Sequence, residues 1–464
     1  MNRRTRLFLH ELRALTLVAG PIMASQLGGI AMNTTDTIMV GPLGATALAA
    51  AGLASAVQFT LIVMCNGVVM GMLPLVSQAF GAGDRGECRR VLVQGLWVAG
   101  ALAIPATLVS LSGRRLALLL GQAPEVAVLA GDYLTALSAG VLPLMLFMAF
   151  RQYLEGMGVT RAAMWMTLAG VLLNIAANHA LIWGVPGVVR PLGVVGSGVA
   201  TSAVRWAMLL GMVAYVLRDP ALHPFRRVSL RPVAERVKRI LGLGVPVGAQ
   251  LGAEVGIFAL SAVMMGWLGP VQLAAHQVTI NVASTTYMVP LGASLAGSIR
   301  VGQHVGAGNA RAVHRAALAT YVVALAFMGC CALFFVAVPE AIIGLYTRDA
   351  EIVRIGSTLL LLAALFQLFD GAQAAGICVL RGAGDTRIPM WITMIGYWGV
   401  GFPVAYLLGF RTPMAHAGIW MGLTVSLAVV ALLMALRVRQ VLWASHRGTE
   451  ARRRRNPPRS PLTK

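Results

Sequence analysis

Three carboxylates stand inside long apolar runs of the sequence: Asp36 in NTTDT, Glu254 in LGAEVG and Asp370 in LFDGA. A charge at the centre of a bilayer costs about 2.5–3.5 kcal/mol on insertion scales, so it is kept only with a partner or a water-filled cavity. None of the three has a Lys or Arg within one turn along its own helix. Two chemistries fit them. Either each faces a cavity, titrates or binds a cation and passes that event to a conformational change, or each is satisfied by headgroups, hydroxyls or neighbouring amides. For Asp36, close to the end of its run, both readings stand.

Amides form a second class. Asn174 and Asn178 in LLNIAANHALIWG are four apart and share a helical face. Their carbonyl oxygens suit a cation beside Asp36, and equally they suit interhelical glue worth ~0.6 kcal/mol each. Gln277 and Asn281 repeat the spacing. His179 and His276 read as hydrogen-bonded structure. Arg205, the only Lys or Arg well inside a run, is a candidate charge partner for a carboxylate of the first half, or a snorkelling side chain. Pro21 and Pro246 each free a backbone carbonyl inside a helix and are hinge candidates, or inherited kinks.

No P-loop, GxSxG or HExxH occurs, and no enzyme activity or cofactor is expected. The five cysteines form no CxxC pair and read as small apolar filler. No metal is expected beyond a sodium ion. A soft lining drawn from the 23 Met would suit promiscuous ligands.

The elements that must carry these residues follow from composition. Only 11% of the 464 residues are charged and 58% are hydrophobic, against about 25% and about 45–50% in soluble domains. Helical runs of about 20 apolar residues, the length that spans a bilayer, fall near 14–40, 46–76, 91–111, 126–150, 160–184, 192–217, 239–266, 271–298, 316–338, 354–380, 388–409 and 415–437. The first run is too long for a signal peptide. The expected fold is an all-α integral membrane protein with twelve transmembrane helices.

The net charge of +21 would suit nucleic acid, but 30 of the 37 basic residues fall in alternate loops and both termini. That bias marks the cytoplasmic side, so both termini are expected in the cytoplasm of a multi-pass inner-membrane protein, beside anionic lipids.

The chain repeats itself. At an offset of 225, MVGPLGATALAA (39–50) lies over MMGWLGPVQLAA (264–275), QAFGAGD (78–84) over QHVGAGN (303–309), and Pro21 over Pro246. At 226, LEGMGVTRAAMW (154–165) lies over LRGAGDTRIPMW (380–391). The expected organisation is two pseudo-symmetric six-helix bundles, 1–217 and 239–440, joined by a basic linker at 218–238 and followed by a disordered basic tail at 441–464. Six helices per copy make a parallel repeat about an axis along the membrane normal. The carboxylates are not relics of the duplication: Asp36 lies opposite Ser261 and Glu254 opposite Gly29.

PIMASQLGGIAMNTTDTIMVGPLGATALAA, its second copy with AAHQVTINVAS, the loops FGAGD and VGAGN, and the segments LEGMGVT and LRGAGDT together resemble the multidrug and toxic compound extrusion (MATE) family, most closely its NorM-like bacterial branch. The resemblance covers about residues 10–440. It implies alternating access in which protons or sodium ions exchange against an outgoing organic, often cationic, compound. It also implies that Asp36, Asn174, Asn178 and Thr201 form a cation site in the first bundle, with Glu254 and Asp370 as the carboxylates of the second. That branch often has a tyrosine one turn before the last aspartate. Here the residue is Phe366, a departure that favours protons over sodium. A monomer is expected, with no nucleic-acid partner. A lipid-linked saccharide flippase of the wider superfamily is the alternative, and it would need many basic residues in its cleft.

Overall fold

A computed structural model describes residues 2–187, 190–223 and 228–455. Its helices follow one another as α1 (Arg3–Val40), α2 (Ala45–Val69), α3 (Met72–Gly81), α4 (Arg85–Leu111), α5 (Gly113–Leu119), α6 (Pro124–Ser138), α7 (Val141–Gly156), α8 (Arg161–Ile182), α9 (Gly193–Arg218), α10 (Ala234–Leu268), α11 (Pro270–Gly306), α12 (Ala310–Ala337), α13 (Pro339–Gly344), α14 (Ala350–Ala383), α15 (Arg387–Met394), α16 (Phe402–Phe410) and α17 (Ala415–Arg455). Taking α2–α3, α6–α7 and α15–α16 as broken single passages, and setting aside the short helices α5 and α13, gives the twelve expected from the sequence. Among the described residues ten passages are long and apolar enough to cross a membrane, and the α6–α7 pair makes an eleventh. The twelfth, α11, is long enough, but His276, Gln277, Thr279, Asn281 and Ser284–Thr286 make its first half polar.

Three passages expected to be continuous are interrupted, each just before a proline. A proline lacks the N–H that would bond the carbonyl four residues back, and its ring crowds that carbonyl. Pro74 follows the break at Met70–Gly71, and Pro403 follows a π-helical stretch, Ile395–Gly401. Pro143 follows the break at Ala139–Gly140, where α6 and α7 meet at 47°. There the freed carbonyls are taken by α9. Ser202 Oγ donates to Ala136 O at 2.7 Å and Trp206 Nε1 donates to Ala139 O at 3.1 Å.

The contacts divide the chain into an N-terminal unit, Gly20–Val76 with Arg85–Val255, and a C-terminal unit, Met1–Ala19 with Ser77–Asp84 and Gly256–Lys464. The division does not follow the repeat boundary: it cuts α1 beside Pro21 and α10 ten residues after Pro246. Buried small residues, Ala47, Ala50, Ala51, Ala54 and Ala130, bring α2 and α6 of the N-terminal unit close together. Large ones, Phe335, Phe366, Tyr397 and Trp420, fill the C-terminal unit.

Within the C-terminal unit the duplicated QxxG motif packs on its own copy. A Cβ at Gly81 would collide with the carbonyl of Gln303, and a Cβ at Gly306 would collide with the carbonyl of Gln78. Nearby, Glu11 of α1 is 4% exposed. It accepts from Arg300 Nε at 2.8 Å and Nη2 at 3.0 Å, with His304 Nε2 at 3.1 Å. Arg236, at the position equivalent to Glu11, pairs with Glu87 at 3.3 Å in the N-terminal unit.

The linker between α9 and α10 is non-helical over the described parts of 219–233, and its residues 224–227 lie outside the description. The expected tail begins at 441, yet α17 runs as helix to Arg455. Residues 456–464 lie outside the described residues.

Candidate functional site

In the N-terminal unit three helices bring four polar side chains together. Asp36 lies one turn before the end of α1, Asn174 and Asn178 present one stripe of α8, and Thr201 comes from α9. All four are buried, the two asparagines completely. Asp36 Oδ1 accepts from Asn178 Nδ2 at 2.6 Å and from Asn174 Nδ2 at 3.1 Å, while Oδ2 accepts from Thr201 Oγ1 at 2.9 Å. Asn174 Nδ2 also reaches Thr201 Oγ1 at 3.2 Å. The carbonyl oxygens of both asparagines are buried and have no hydrogen-bond partner among the described residues. Of the two readings of Asp36, the hydrogen-bonded carboxylate is the one observed, and the spare amide oxygens keep cation binding chemically open. Rotating either amide would present an oxygen where an N–H now points.

The groups that act electrostatically on this carboxylate are Arg205 of α9 and Tyr133 of α6. No direct ion pair joins Arg205 to Asp36 among the described residues. Any action of Arg205 on Asp36 is thus through space rather than through a direct pair. Tyr133 was not legible as a neighbour, since nothing in its local sequence sets it apart.

Glu254 lies half-buried in α10 within this same unit, and Asp370 lies buried in α14 of the C-terminal unit. Around Asp370 the helix carries two further buried amides. Gln367 donates to Thr286 Oγ1 and Gln373 donates to the Tyr397 hydroxyl, each at 2.5 Å. These residues were missed in the sequence, although their spacing of three either side of Asp370 was available. Phe366 is 2% exposed. Its ring centroid lies 6.2 Å from Phe258 and 5.6 Å from Trp420. Trp420 Nε1 donates to His276 Nδ1 at 3.2 Å, so His276 is hydrogen-bonded structure as expected.

The two amide stripes differ. Gln277 and Asn281 are exposed, and Asn281 accepts from the Tyr346 hydroxyl at 3.2 Å. His179 is exposed against Trp183. Cys88 and Cys378 are buried filler, while Cys330 is exposed. No cluster of metal-binding side chains occurs among the described residues.

The sequence model of the MatE family matches this chain twice, at residues 21–179 and 246–407. The chain belongs to the MatE family. Both matches begin on a helix proline, Pro21 and Pro246. Similar proteins include a probable multidrug resistance protein NorM of Rhizobium meliloti, 36% identical with 93% of each chain covered. The multidrug resistance protein NorM of Burkholderia vietnamiensis is 35% identical, with 90% of this chain and 92% of that one covered. Among solved structures, the eukaryotic MATE transporter AtDTX14 superposes with a TM-score of 0.86 at 21% identity, covering 96% of this chain and all of the other. An outward-facing multidrug resistance MATE transporter of the MOP superfamily gives 0.85 at 22% identity, covering 96% and 99%. The fold is thus the twelve-helix MATE fold, and this MatE protein is a membrane transporter rather than an enzyme.

Proposed function

We propose that this MatE protein exports organic, often cationic, compounds by alternating access, in exchange for protons or sodium ions taken up at Asp36. The observation that carries the reading is the buried Asp36 carboxylate, held by three neutral donors beside two unpartnered amide oxygens. A buried carboxylate with no cation in direct contact gains most from binding one. Two amides that can present either end serve the charged and the neutralised site alike.

Asn174, Asn178 and Thr201 are the partners of Asp36 in this reading. Glu254 and Asp370 are further coupling carboxylates, the latter supported by the amides of Gln367 and Gln373 on the same helix. Pro21 and Pro246 are the hinges. The phenylalanine at 366, packed among aromatic rings, offers no oxygen for sodium, which favours protons. Inward movement of one charge down 100 mV supplies about 2.3 kcal/mol, and export of a monovalent cation for one proton cancels that electrical contribution. The protein works as a monomer in the bacterial inner membrane with both termini in the cytoplasm, beside anionic lipids.

Dye efflux from proteoliposomes under imposed proton and sodium gradients, applied separately, tests the reading. Efflux driven by one gradient and lost in Asp36→Asn is expected. Equal efflux by Asp36→Asn under both gradients would overturn it.

A further inference from the structure

Arg205 stands one helical turn beyond Thr201 on α9. Residues four apart share a helix face with Cβ atoms about 5–6 Å apart, so the residue that donates to Asp36 and the residue that carries a fixed positive charge lie on one stripe. The stem of Arg205 is seated on the break between α6 and α7. A Cβ at Gly140 would come within 2.9 Å of Arg205 Cδ and 2.8 Å of Ser202 Oγ. Its Nη1 is buried and makes no hydrogen bond among the described residues. Among the described residues, the charged and titratable groups that act on Asp36 are Arg205 from α9 and Tyr133 from α6. From α8 it meets only amides.

A guanidinium nitrogen buried without a hydrogen-bonded anion is costly. We infer that Arg205 is the resident counter-cation of the Asp36 site: its charge balances the empty carboxylate, and every coupling cation binds against it. The inference rests on the reading of Asp36 as a cation site. Its consequence is kinetic as well as thermodynamic. A cation held against a fixed positive charge binds more weakly and leaves faster, and a transporter must release its driving ion in every cycle. Arg205 acts through Asp36 and touches neither drug nor ion.

Arg205→Met keeps a stem on Gly140 and removes the charge, Arg205→Gln does so with a polar end, and Arg205→Lys keeps the charge. Full-length protein in detergent is titrated with NaCl at fixed pH, and with pH in sodium-free buffer, following the thermal unfolding midpoint. The same titrations are run on gradient-driven dye efflux. In Arg205→Met the half-saturating point is expected at roughly tenfold lower NaCl, or about one pH unit higher for protons, with maximal efflux reduced. Arg205→Lys should stay near the parent, and Asp36→Asn should abolish the cation response in both backgrounds. A half-saturating point within twofold of the parent in both Arg205→Met and Arg205→Gln would overturn the inference, as would a shift that persists in Asp36→Asn. If Asp36→Asn retains driven efflux, the cation-site reading itself fails. If it abolishes efflux while the Arg205 variants leave the midpoint in place, only the role of Arg205 fails.

Discussion

Trp206 donates its indole N–H to the carbonyl of Ala139 at 3.1 Å, the oxygen that Pro143 leaves without a helical donor. Inside a bilayer an unpaired carbonyl has no water to turn to, so this bond and the neighbouring one from Ser202 to Ala136 stabilise the bend in the fourth passage. Trp206→Phe keeps the ring and removes the donor. It is expected to lower stability by about 1–3 kcal/mol, the cost of a polar group left unpaired away from water, measured as a fall in unfolding midpoint in detergent. The double variant Trp206→Phe with Pro143→Ala should recover part of the loss, because an alanine in place of the proline supplies the missing N–H.

The two amide stripes make a matched comparison. Asn178→Ala removes a 2.6 Å bond to a buried carboxylate and is expected to lose about 1.5–3 kcal/mol of stability or of cation-site affinity. Gln277→Ala, on an exposed face, should change stability by less than about 0.5 kcal/mol. Equal effects in a thermal-shift series would mean that the buried geometry around Asp36 is not what the amides serve.

Glu11→Gln breaks a buried carboxylate away from the bidentate Arg300 and leaves that guanidinium uncompensated. Removing one partner of such a pair costs about 3–5 kcal/mol. The partly exposed pair of Arg437 with Asp385, at 2.8 Å, should cost about 1 kcal/mol or less when Asp385 becomes Asn. Added salt should erase the second difference and leave the first. Unfolding in detergent at low and high salt checks both.

Gly81→Ala places a methyl group against the backbone of Gln303, which cannot swing away as a side chain would. A loss of several kcal/mol or failure to accumulate in the membrane is expected. Gly100→Ala, in open space on α4, should be neutral or slightly stabilising because alanine is the better helix former. Expression and midpoint of the two variants side by side decide it.

What the sequence made legible was what repeats locally. Twelve passages came from counting apolar residues, and the pairing of Asn174 with Asn178 came from one turn of a helix. Thr201 needed the family likeness, because a threonine in GVATS has no local mark. The break at Gly140 had a visible cause in Pro143, three residues on, but apolar length alone drew a single span through it. Glu11 and Arg300 are 289 residues apart, and no period or spacing could join them. The unit boundary within α1 was equally hidden, since one continuous helix in sequence divides only through its tertiary contacts. The aromatic packing around Phe366 was invisible for the same reason.

The crossed contact of Gly81 on Gln303 and Gly306 on Gln78 is reciprocal: each motif copy offers the glycine that the other needs and the carbonyl that the other touches. Reciprocity of this kind is the signature of an isologous interface, in which one surface recognises itself across a two-fold axis. A change in either motif copy therefore bears on the other, because each contact takes one residue from each copy. Away from this contact the copies are free to differ, and Asp36 stands in one where Ser261 stands in the other.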